Sequence, residues 1–550
     1  MRSNKVLALV LGGVLAGTAA CGSESKPADS GSGKSGGTLV FGTSADPVSM
    51  DGAYVSDGES LRVVDQLFET LVTTKAGGTE AEPKLAKSWT ASADGKAWTF
   101  ALQTGVKFHD GTAFNAKAVC ANFDRWYNFK GIQQSPSVSY YWSTVFGGFK
   151  TQENPDVPKT SLFASCEAKD DATAVVNLTS PSSSFIAGLA VPAFSIASPD
   201  ALVKYRADKV SGTGDSPKFD GTFGTQHPIG TGPFKFDSYT PGDKLVISRN
   251  DGYWGSKAKL DKVIFKPIAD GPARRQALES GDIQGYDFVD PGDVTTLQAK
   301  YTVLQRPAFN VGYVGFNQKR APMDNLKIRQ AVAHALNRAA LVKAKYPPGS
   351  VVAKEFMPPM LFGYANDVTD YAYDPEKAKQ LIKESGVTNL KLEFWYPTNV
   401  SRPYMPDAKA NWEAFKSDLE KVGFTITAKS APWRPDYNQK VNNGGAQMYL
   451  LGWTGDFGDP DNFVGTFFRT AQPAWGFDNP AIFKALEKAR VESDPAKRTA
   501  AYQDANKLIM EFLPGVPYVH TQPSLAFKKN VKGYVPSPVS LESFADVTVG

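Results

Sequence analysis

Three cysteines offer covalent chemistry in this chain of 550 residues. Cys21 ends a run of small residues near the N-terminus, whereas Cys120 and Cys166 lie far inside the chain. In an exported protein Cys120 and Cys166 could form a disulfide, and two buried thiols are the alternative. The three cysteines show no CxxC or CxxxC spacing, so the sequence excludes a zinc knuckle.

Histidines are the side chains best suited to proton transfer or metal binding near neutral pH. The chain has four, at His109, His227, His334 and His520. None lies in an HExxH, GxSxG or other catalytic frame, so hydrolysis lacks a recognisable nucleophile or metal. The acidic run Gly458–Asn462 lacks the ligand spacing and terminal Glu of a calcium loop, and Asp459 and Asp461 are interpreted as turn and cap residues. We therefore predict neither an enzyme nor a resident metal or cofactor.

The overall charge and composition exclude one class of partner. The chain carries 60 basic and 56 acidic side chains, a net charge of +4, and no stripe of Lys and Arg stands out. Nucleic acid is therefore not expected as a partner. Hydrophobic residues make up 42% and charged residues 21%, which is typical of a soluble globular body with room for two or three domains.

The N-terminal segment Met1–Cys21 is interpreted as an export signal. Arg2 and Lys5 give it a positive start, Val6–Ala16 is an apolar run, and Thr18–Cys21 is a cleavage site of small residues. The apolar run is shorter than the roughly 20 residues that a membrane-spanning helix needs. A cysteine at the end of such a site resembles a bacterial lipobox. This predicts an acylated Cys21 that anchors the protein to the outer face of the cell membrane, and a conventional signal peptide with an incidental cysteine is the alternative.

The next segment, residues 22–37, is predicted to be a flexible tether. It consists of small, polar and charged residues with one proline, and no apolar residue in it is larger than Ala. Such a composition cannot bury a core, and a chain of this length has a root-mean-square reach of roughly 20–25 Å. The folded body therefore begins near Thr38.

Short strand-like runs alternate with helical patterns along the body. Strands are predicted at Thr38–Gly42, Trp98–Leu102, Val175–Leu178, Leu245–Ser248, Val263–Pro267 and Met448–Trp453. Helices are predicted after Pro406–Asp407, from Asp374–Pro375 through Ser385, over Asn325–Val342, and up to Pro514. A mixed α/β body of this size without an internal repeat predicts two α/β lobes.

Four sequence blocks in order resemble one family. They are Leu85–Trp89 with Gly105–Gly111, His227–Phe234 with Asn250–Gly255, Gly315–Asn317 with Ile328–Ala331, and Gly452–Phe463. Together they resemble the extracytoplasmic solute-binding proteins of ABC importers that include dipeptide-, oligopeptide- and nickel-binding members. The resemblance runs from about Thr38 to Val549. The first two blocks combine Gly, Pro and Asp as tight turns require, so we interpret them, and His109 within them, as structural.

The resemblance implies a periplasmic-binding-protein-like fold with a hinged ligand cleft. A large discontinuous lobe I would take residues 38–306 plus 521–550, and lobe II would take residues 307–520. The function implied is extracytoplasmic capture of short peptides for import. The partners implied are an ABC permease with its ATPase subunits, reached by a monomer that a lipid holds to the membrane.

Two residues match the dipeptide-binding branch of the family. Arg402 lies in Ser401–Tyr404 and Asp456 in Gly452–Asp456. The resemblance implies that Arg402 pairs with the carboxylate and Asp456 with the ammonium of a peptide. This is chemically sensible, because a zwitterion loses hydration at both termini unless each meets an opposite charge. Trp453, Tyr404 and Trp433 are candidate walls for the ligand side chains.

Other cargoes remain open within the same fold. Relatives carry nickel chelates, oligosaccharides and longer peptides, and fold alone cannot choose between them. Arg402 and Asp456 together favour a free-ended di- or tripeptide over a sugar, which needs neither charge. A sensor of peptide signals would use the same cleft with a different downstream partner.

Overall fold

A computed structural model describes residues 36–214 and 216–550 of the protein. The predicted export signal, Cys21 and the tether up to residue 35 lie outside these residues.

The described residues form 22 strands. These are β1 (Thr38–Thr43), β2 (Val72–Thr74), β3 (Ala81–Pro83), β4 (Ala86–Ala91), β5 (Ala97–Leu102), β6 (Phe163–Asp170), β7 (Thr173–Leu178), β8 (Val210–Thr213), β9 (Ser216–Phe219), β10 (Phe234–Thr240), β11 (Lys244–Arg249), β12 (Lys262–Pro267), β13 (Gly285–Tyr286), β14 (Thr302–Gln305), β15 (Asn310–Phe316), β16 (Lys391–Thr398), β17 (Thr425–Pro432), β18 (Met448–Thr454), β19 (Gly515–Val519), β20 (Ser524–Phe527), β21 (Val531–Lys532) and β22 (Thr548–Val549). All six predicted strands are confirmed within two residues at either end.

The same residues form 16 α-helices. These are α1 (Gly58–Leu67), α2 (Ala116–Tyr127), α3 (Tyr140–Val145), α4 (Phe185–Leu189), α5 (Pro199–Lys204), α6 (Phe223–Gln226), α7 (Gly271–Ser280), α8 (Val294–Gln298), α9 (Leu326–Ala335), α10 (Arg338–Lys345), α11 (Pro375–Ser385), α12 (Ala408–Lys421), α13 (Asn438–Asn442), α14 (Val464–Phe468), α15 (Pro480–Val491) and α16 (Pro495–Phe512). Short 3₁₀ helices span Gly52–Tyr54, Gly131–Gln134, Pro192–Phe194 and Pro460–Asn462, and a π-helical turn spans Trp433–Tyr437. None of the described helices has the length and apolar character needed to cross a membrane.

Two separate sheet systems define two lobes. Lobe I contains a seven-stranded mixed sheet in the order β10-β11-β12-β1-β13-β20-β14 and a four-stranded antiparallel sheet in the order β4-β5-β7-β6. Lobe II contains a five-stranded sheet in the order β17-β16-β18-β15-β19. Each system has its own large apolar core. The predicted two-lobed α/β architecture is confirmed.

Side-chain capping explains where the helices of lobe II begin. The carboxylate of Asp374 accepts from the backbone N–H of Lys377 at 2.9 Å, and Pro375 occupies the first turn of α11, as predicted. Asp407 caps α12 in the same way, and α16 ends at Phe512 before the predicted stop at Pro514.

The single helix predicted over Asn325–Val342 is wrong. The backbone becomes extended at Leu336, which ends α9, and α10 begins after Asn337. The side chain of Asn337 caps α10, while its backbone N–H donates to Asp418 of α12 at 2.9 Å. A polar cap and a tertiary hydrogen bond therefore interrupt an apolar pattern that reads as continuous.

The chain passes between the lobes twice, between β14 and β15 and again between β19 and β20. The two passages are tied together by polar contacts. The amide of Asn310 donates to Thr521 O at 3.0 Å, and both the backbone N–H and the hydroxyl of Thr521 donate to Asn310 Oδ1. The backbone N–H of Arg306 donates to Pro523 O at 2.9 Å. The connection between the lobes is therefore a hydrogen-bonded pair of segments.

A buried ion cluster lies where the first passage leaves lobe I. Arg306 pairs with Asp287 and Glu542, each at 2.5 Å, and Arg62 pairs with Asp287 at 2.6 Å and with Glu59 at 3.1 Å. All five side chains are at most 8% exposed. Burial by itself would raise the pKa of Asp287, but Arg306 and Arg62 outweigh it and hold that pKa at about 2. The cluster fastens α1, the first passage and the C-terminal segment to one another.

A disulfide joins Cys120 to Cys166, with a Cα–Cα distance of 5.1 Å. Cys120 lies on α2 and Cys166 on β6, the outer strand of the four-stranded sheet. The bond therefore fastens a helix of lobe I to the edge of that sheet.

Replacing both cysteines by Ala should destabilise lobe I. The bond closes a loop with a sequence separation of 46 residues, and restricting such a loop in the unfolded chain typically contributes about 2–4 kcal/mol. Thermal unfolding with and without reductant measures the effect. Reductant should lower the unfolding temperature of the natural chain but not that of the double variant, and equal behaviour of the two proteins would contradict the assignment.

Candidate ligand-binding cleft

Three parallel strands of lobe II end at one edge of its sheet. β16 pairs in parallel with β17 on one side and with β18 on the other, so the carboxyl ends of all three strands point the same way. Arg402 lies in the loop after β16, Trp433 follows β17 directly, and Asp456 follows β18 by two residues. Ligands commonly bind beyond the carboxyl ends of parallel strands, because the connecting loops converge there.

A cleft of about 520 Å³ opens at this edge, with walls from both lobes. Lobe II contributes Arg402, Tyr404, Trp453 and Asp456. A volume of several hundred Å³ with a mixed polar and aromatic lining is typical of a small-molecule site. Four of the five residues predicted to bind the ligand are thus brought together on one wall.

Arg402 is held by a tight bend and an aromatic ring. Its backbone exchanges two hydrogen bonds with Met405, at 3.1 and 2.9 Å. Its guanidinium lies over the ring of Trp433, 4.8 Å from the centroid, which stabilises the cation by a cation–π contact. Among the described residues no carboxylate comes within ion-pair distance of Arg402, and its enclosed Nε has no hydrogen-bond partner.

Asp456 is a part-buried carboxylate held by neutral donors. Asn462 Nδ2 donates to Oδ2 at 3.1 Å, and the hydroxyl of Tyr141 donates to Oδ1 at 2.9 Å. No Lys, Arg or His in the described part of the chain pairs with it. Burial raises the pKa of Asp456 to about 6, although the hydrogen bonds from Asn462 and Tyr141 lower it. The site therefore keeps an anion without its counter-ion.

Tyr404 and Trp453 form the aromatic part of this wall. Tyr404 is 6% exposed, and its carbonyl accepts from the hydroxyl of Tyr346 at 3.1 Å. A Cβ atom on Gly452 would meet Tyr404 Cδ2 at 2.2 Å, so the ring can lie against β18 only because residue 452 is glycine. The indole of Trp453 packs edge-on against Phe467 and leaves one part of its surface to the cleft.

Trp433 does not line the cleft. Its ring is stacked with that of Tyr437 and also contacts the guanidinium of Arg402. The sequence predicted it as a wall for ligand side chains. The structure instead places it behind Arg402, where it orients and screens the cation.

The wall from lobe I consists of residues that the sequence did not predict. It includes Tyr140 and Tyr141 at the start of α3, Asp57 at the cap of α1, and Phe288. Phe288 has φ +58°, a left-handed conformation that is rare for a bulky residue and is found at functional sites more often than elsewhere. No sequence pattern marks these residues, because they share a cleft with Asp456 only through the packing of lobe I against lobe II.

The lobes touch on the side of the cleft where Asp456 lies. Phe457 is 7% exposed and packs in the core of lobe I, although its sequence neighbours belong to lobe II. A Cβ atom on Gly458 would lie 2.2 Å from Thr79 O of lobe I, so only glycine permits this approach. Ser183 of lobe I also donates to the carbonyl of Arg490 in lobe II. The segment that carries Asp456 is thus a contact surface between the lobes.

The acidic residues beyond Asp456 have structural roles. Asp459 accepts two hydrogen bonds from Arg498, at 2.8 and 2.9 Å, and caps the 3₁₀ helix Pro460–Asn462. Asp461 pairs with Arg469 at 2.6 Å. Within residues 36–214 and 216–550 no three His, Cys, Asp or Glu side chains are arranged to hold a metal ion.

His109 links the first two of the four sequence blocks. Its backbone N–H donates to Gly230 O at 2.8 Å, and its Nε2 lies 3.0 Å from Gly232 O. Burial lowers the pKa of His109 to about 4, so the ring is neutral at physiological pH. These contacts lie outside the cleft lining and give His109 a structural role.

The chain matches one family model over most of its length. Residues 80–475 match the model described as bacterial extracellular solute-binding proteins, family 5.

Curated relatives and a solved structure are similar over nearly the whole chain. The dipeptide-binding protein of Escherichia coli K12 is 33% identical over 93% of this chain and 94% of its own length. Heme-binding protein A of Haemophilus influenzae is 30% identical over 94% of this chain and 93% of its own length. The periplasmic binding protein of Helicobacter pylori in complex with the peptide STSA is 29% identical, with a TM-score of 0.74 over 94% of this chain and 98% of that chain.

Replacing Asp456 by Asn should stabilise the ligand-free protein at pH 7. Because the folded protein holds the pKa near 6, above the ordinary value, the ionised carboxylate costs stability at pH 7, on the order of 2 kcal/mol. The natural protein should gain stability relative to the variant as the pH falls through 6, until the carboxyl group is protonated in both the folded and the unfolded chain. Thermal unfolding between pH 8 and pH 4 measures this difference.

Asp478→Asn is the matched control, because Asp478 is an exposed carboxylate of lobe II. Its stability difference from the natural protein should be small at every pH. A difference for Asp456→Asn that does not change with pH would contradict a raised pKa.

Proposed function

Because the chain belongs to family 5 of the bacterial extracellular solute-binding proteins, we propose that it captures short peptides with free termini for an ABC importer. The match of residues 80–475 to the family model confirms the resemblance found in the four sequence blocks. The family binds solutes and does not transform them, so the chain is a binding protein and not an enzyme. The observation that carries the proposal is the pair of opposite charges, Arg402 and Asp456, on one wall of the cleft with no ion-pair partner among the described residues.

Arg402 would bind the peptide carboxylate. The planar guanidinium can donate two parallel hydrogen bonds to a carboxylate, and its Nε is enclosed without a partner. Trp433 holds one face of the guanidinium, so the side chain loses little freedom when the ligand binds.

Asp456 would bind the peptide ammonium. Its two oxygens already accept from Asn462 and Tyr141, which fixes the plane of the carboxylate and leaves lone pairs for a cation. An ammonium group at this position would lower the pKa of Asp456 by supplying the missing opposite charge.

The charges also separate peptides from the other cargo among the relatives. The identities of 33% and 30% to a dipeptide-binding and a heme-binding protein do not choose between them. Haem carries two carboxylates and no ammonium group, so it would leave Asp456 buried without a counter-ion. A nickel chelate or an oligosaccharide lacks the paired charges as well. Tyr404 and Trp453 would serve as tolerant apolar walls for side chains of different shapes.

We propose the same organisation of the chain as the sequence suggested. Residues 38–306 plus 521–550 form lobe I and residues 307–520 form lobe II, which is supported by the two passages near Arg306 and Thr521. The protein acts as a monomer, tethered through acylated Cys21 to the outer face of the cell membrane, and presents its closed form to a permease. Relatives that sense peptides rather than import them would differ in this last partner alone.

If a charged terminus of a dipeptide is chemically blocked, substitution of the residue that pairs with that terminus should no longer weaken binding. Asp456→Asn should weaken binding of Ala-Ala by about 2–4 kcal/mol but change binding of N-acetyl-Ala-Ala little, because the acetylated peptide has no ammonium group. Arg402→Gln should behave in the same way toward Ala-Ala and its C-terminal amide. Isothermal titration calorimetry measures all the combinations.

The controls for this cycle are Asp478→Asn and Arg320→Gln, which remove exposed charges from lobe II. Both variants should bind Ala-Ala like the natural protein. Additive effects of mutation and peptide blocking would refute the assigned pairs, and tight binding of haem in place of Ala-Ala would refute the cargo.

Cys21→Ala should release the protein from the membrane fraction of cells that express the full chain. The natural protein should partition with membranes, because each methylene group of an acyl chain that is buried in the bilayer contributes about 0.8 kcal/mol to binding. Mass spectrometry of the mature N-terminal peptide should find acyl groups on Cys21. An unmodified N-terminus in the natural protein would contradict lipid anchoring.

A further inference from the structure

Tyr141 joins the two lobes at the residue proposed to bind the ammonium. It lies on α3 of lobe I, is 4% exposed, and donates its hydroxyl proton to Oδ1 of Asp456 in lobe II at 2.9 Å. The neighbouring Phe457 and Gly458 also lie against lobe I. Asp456 is thus a ligand-binding candidate and a point of contact between the lobes at the same time.

The strength of this contact depends on the charge of Asp456. A hydroxyl forms a stronger hydrogen bond with an ionised carboxylate than with a neutral carboxyl group. Burial keeps Asp456 easy to protonate while no cation is bound. At a pH near or below 6, where the free carboxyl group is largely protonated, a cation next to it keeps it ionised and so preserves a charged acceptor for the hydroxyl of Tyr141.

We propose that in mildly acidic surroundings Tyr141 couples ammonium binding to closure of the cleft, because there a ligand ammonium that holds Asp456 ionised strengthens the hydrogen bond between lobe I and lobe II. The inference rests on the proposed function of Asp456. A ligand can shift a conformational equilibrium only through a difference in affinity for the two states. The Tyr141–Asp456 bond joins the two lobes and would be lost if they separated, so it supplies that difference.

The coupling is reciprocal and therefore sets a preference among ligands. If ammonium binding favours closure, closure raises the affinity for ammonium groups by the same factor. Ligands with a free ammonium group close the cleft, whereas blocked peptides of the same shape occupy lobe II without this gain. Tyr141 is thus a positioning residue that selects for free N-termini from the opposite lobe.

The cleft contains other charged and titratable groups, and Tyr141→Phe leaves all of their side chains unchanged in type. Tyr140 comes from α3, Asp57, Glu59 and Arg62 come from the start of α1, and Arg402 comes from the loop after β16. Asn462 holds the second oxygen of Asp456. A shift in the titration of Asp456 in Tyr141→Phe is therefore attributable to one hydroxyl group.

The first test measures lobe closure in the full protein. Spin labels on Lys87→Cys in lobe I and Lys377→Cys in lobe II, both exposed positions, report the separation of the lobes by pulsed electron paramagnetic resonance. Without ligand, the natural protein should populate the closed separation more at pH 8 than at pH 5, and Tyr141→Phe should lose this difference. Tyr127→Phe removes a tyrosine hydroxyl elsewhere in lobe I and should behave like the natural protein.

The second test adds the ligand. At pH 5, Tyr141→Phe should weaken binding of Ala-Ala about tenfold and change binding of N-acetyl-Ala-Ala less than twofold. The pH below which Ala-Ala affinity falls should move upward, because the hydrogen bond from Tyr141 lowers the pKa of Asp456. A purely structural role of Tyr141 would weaken both peptides equally and leave this pH unchanged.

The two tests separate this inference from the proposed function. If the natural protein binds no dipeptide but shows the pH-dependent closure that Tyr141→Phe loses, the cargo is wrong and the cross-cleft coupling stands. The coupling is overturned if the natural protein binds dipeptides as expected and Tyr141→Phe does not differ from it. The two proteins would then show the same pH-dependent closure, the same ratio of affinities for the two peptides and the same pH profile of binding.

Discussion

Five buried charges at the base of lobe I determine how the two lobes can be arranged. Arg62 and Arg306 share Asp287 and reach Glu59 and Glu542, and all five side chains are at most 8% exposed. Removing one partner from such a set leaves an unpaired buried charge, which costs about 3–5 kcal/mol. Because Arg306 begins the first passage between the lobes and Glu59 lies at the start of α1, the same cluster fixes the hinge end of lobe I and one wall of the cleft.

The charges of Arg402 and Asp456 in the cleft differ from those of the cluster, because they have no charged partner among the described residues. In the cluster every charge is paired within the protein, whereas Arg402 and Asp456 are supported by neutral groups, Trp433 on one side and Asn462 and Tyr141 on the other. Neutral support orients a charge without cancelling it, so that most of the electrostatic gain is left for the ligand. The raised pKa of Asp456 is the stability cost of this arrangement, and functional sites commonly carry such a cost.

Glycines at two positions allow this arrangement to form. Gly452 lets the ring of Tyr404 lie against β18, and Gly458 lets the loop after Asp456 meet Thr79 of lobe I. Both belong to the fourth sequence block, Gly452–Phe463, which therefore combines the carboxylate of Asp456, an aromatic residue of the cleft wall and the contact with the other lobe. The short spacing places all three features on one segment.

The sequence by itself determined the α/β class, six of the 22 described strands, the bounds of α11, the start of α12, the end of α16 and the family, because these depend on local periodicity, capping and ordered motifs. It also located Arg402 and Asp456, since each lies within a motif at the end of a strand. Tertiary structure decided that Trp433 supports Arg402 instead of lining the cleft, that the pattern over Asn325–Val342 is two helices, and that Cys120 bonds to Cys166. It also brought Tyr141 to Asp456 across 315 residues of sequence. The physical reason is the same in each case, because a contact between distant segments leaves no periodic trace in either of them.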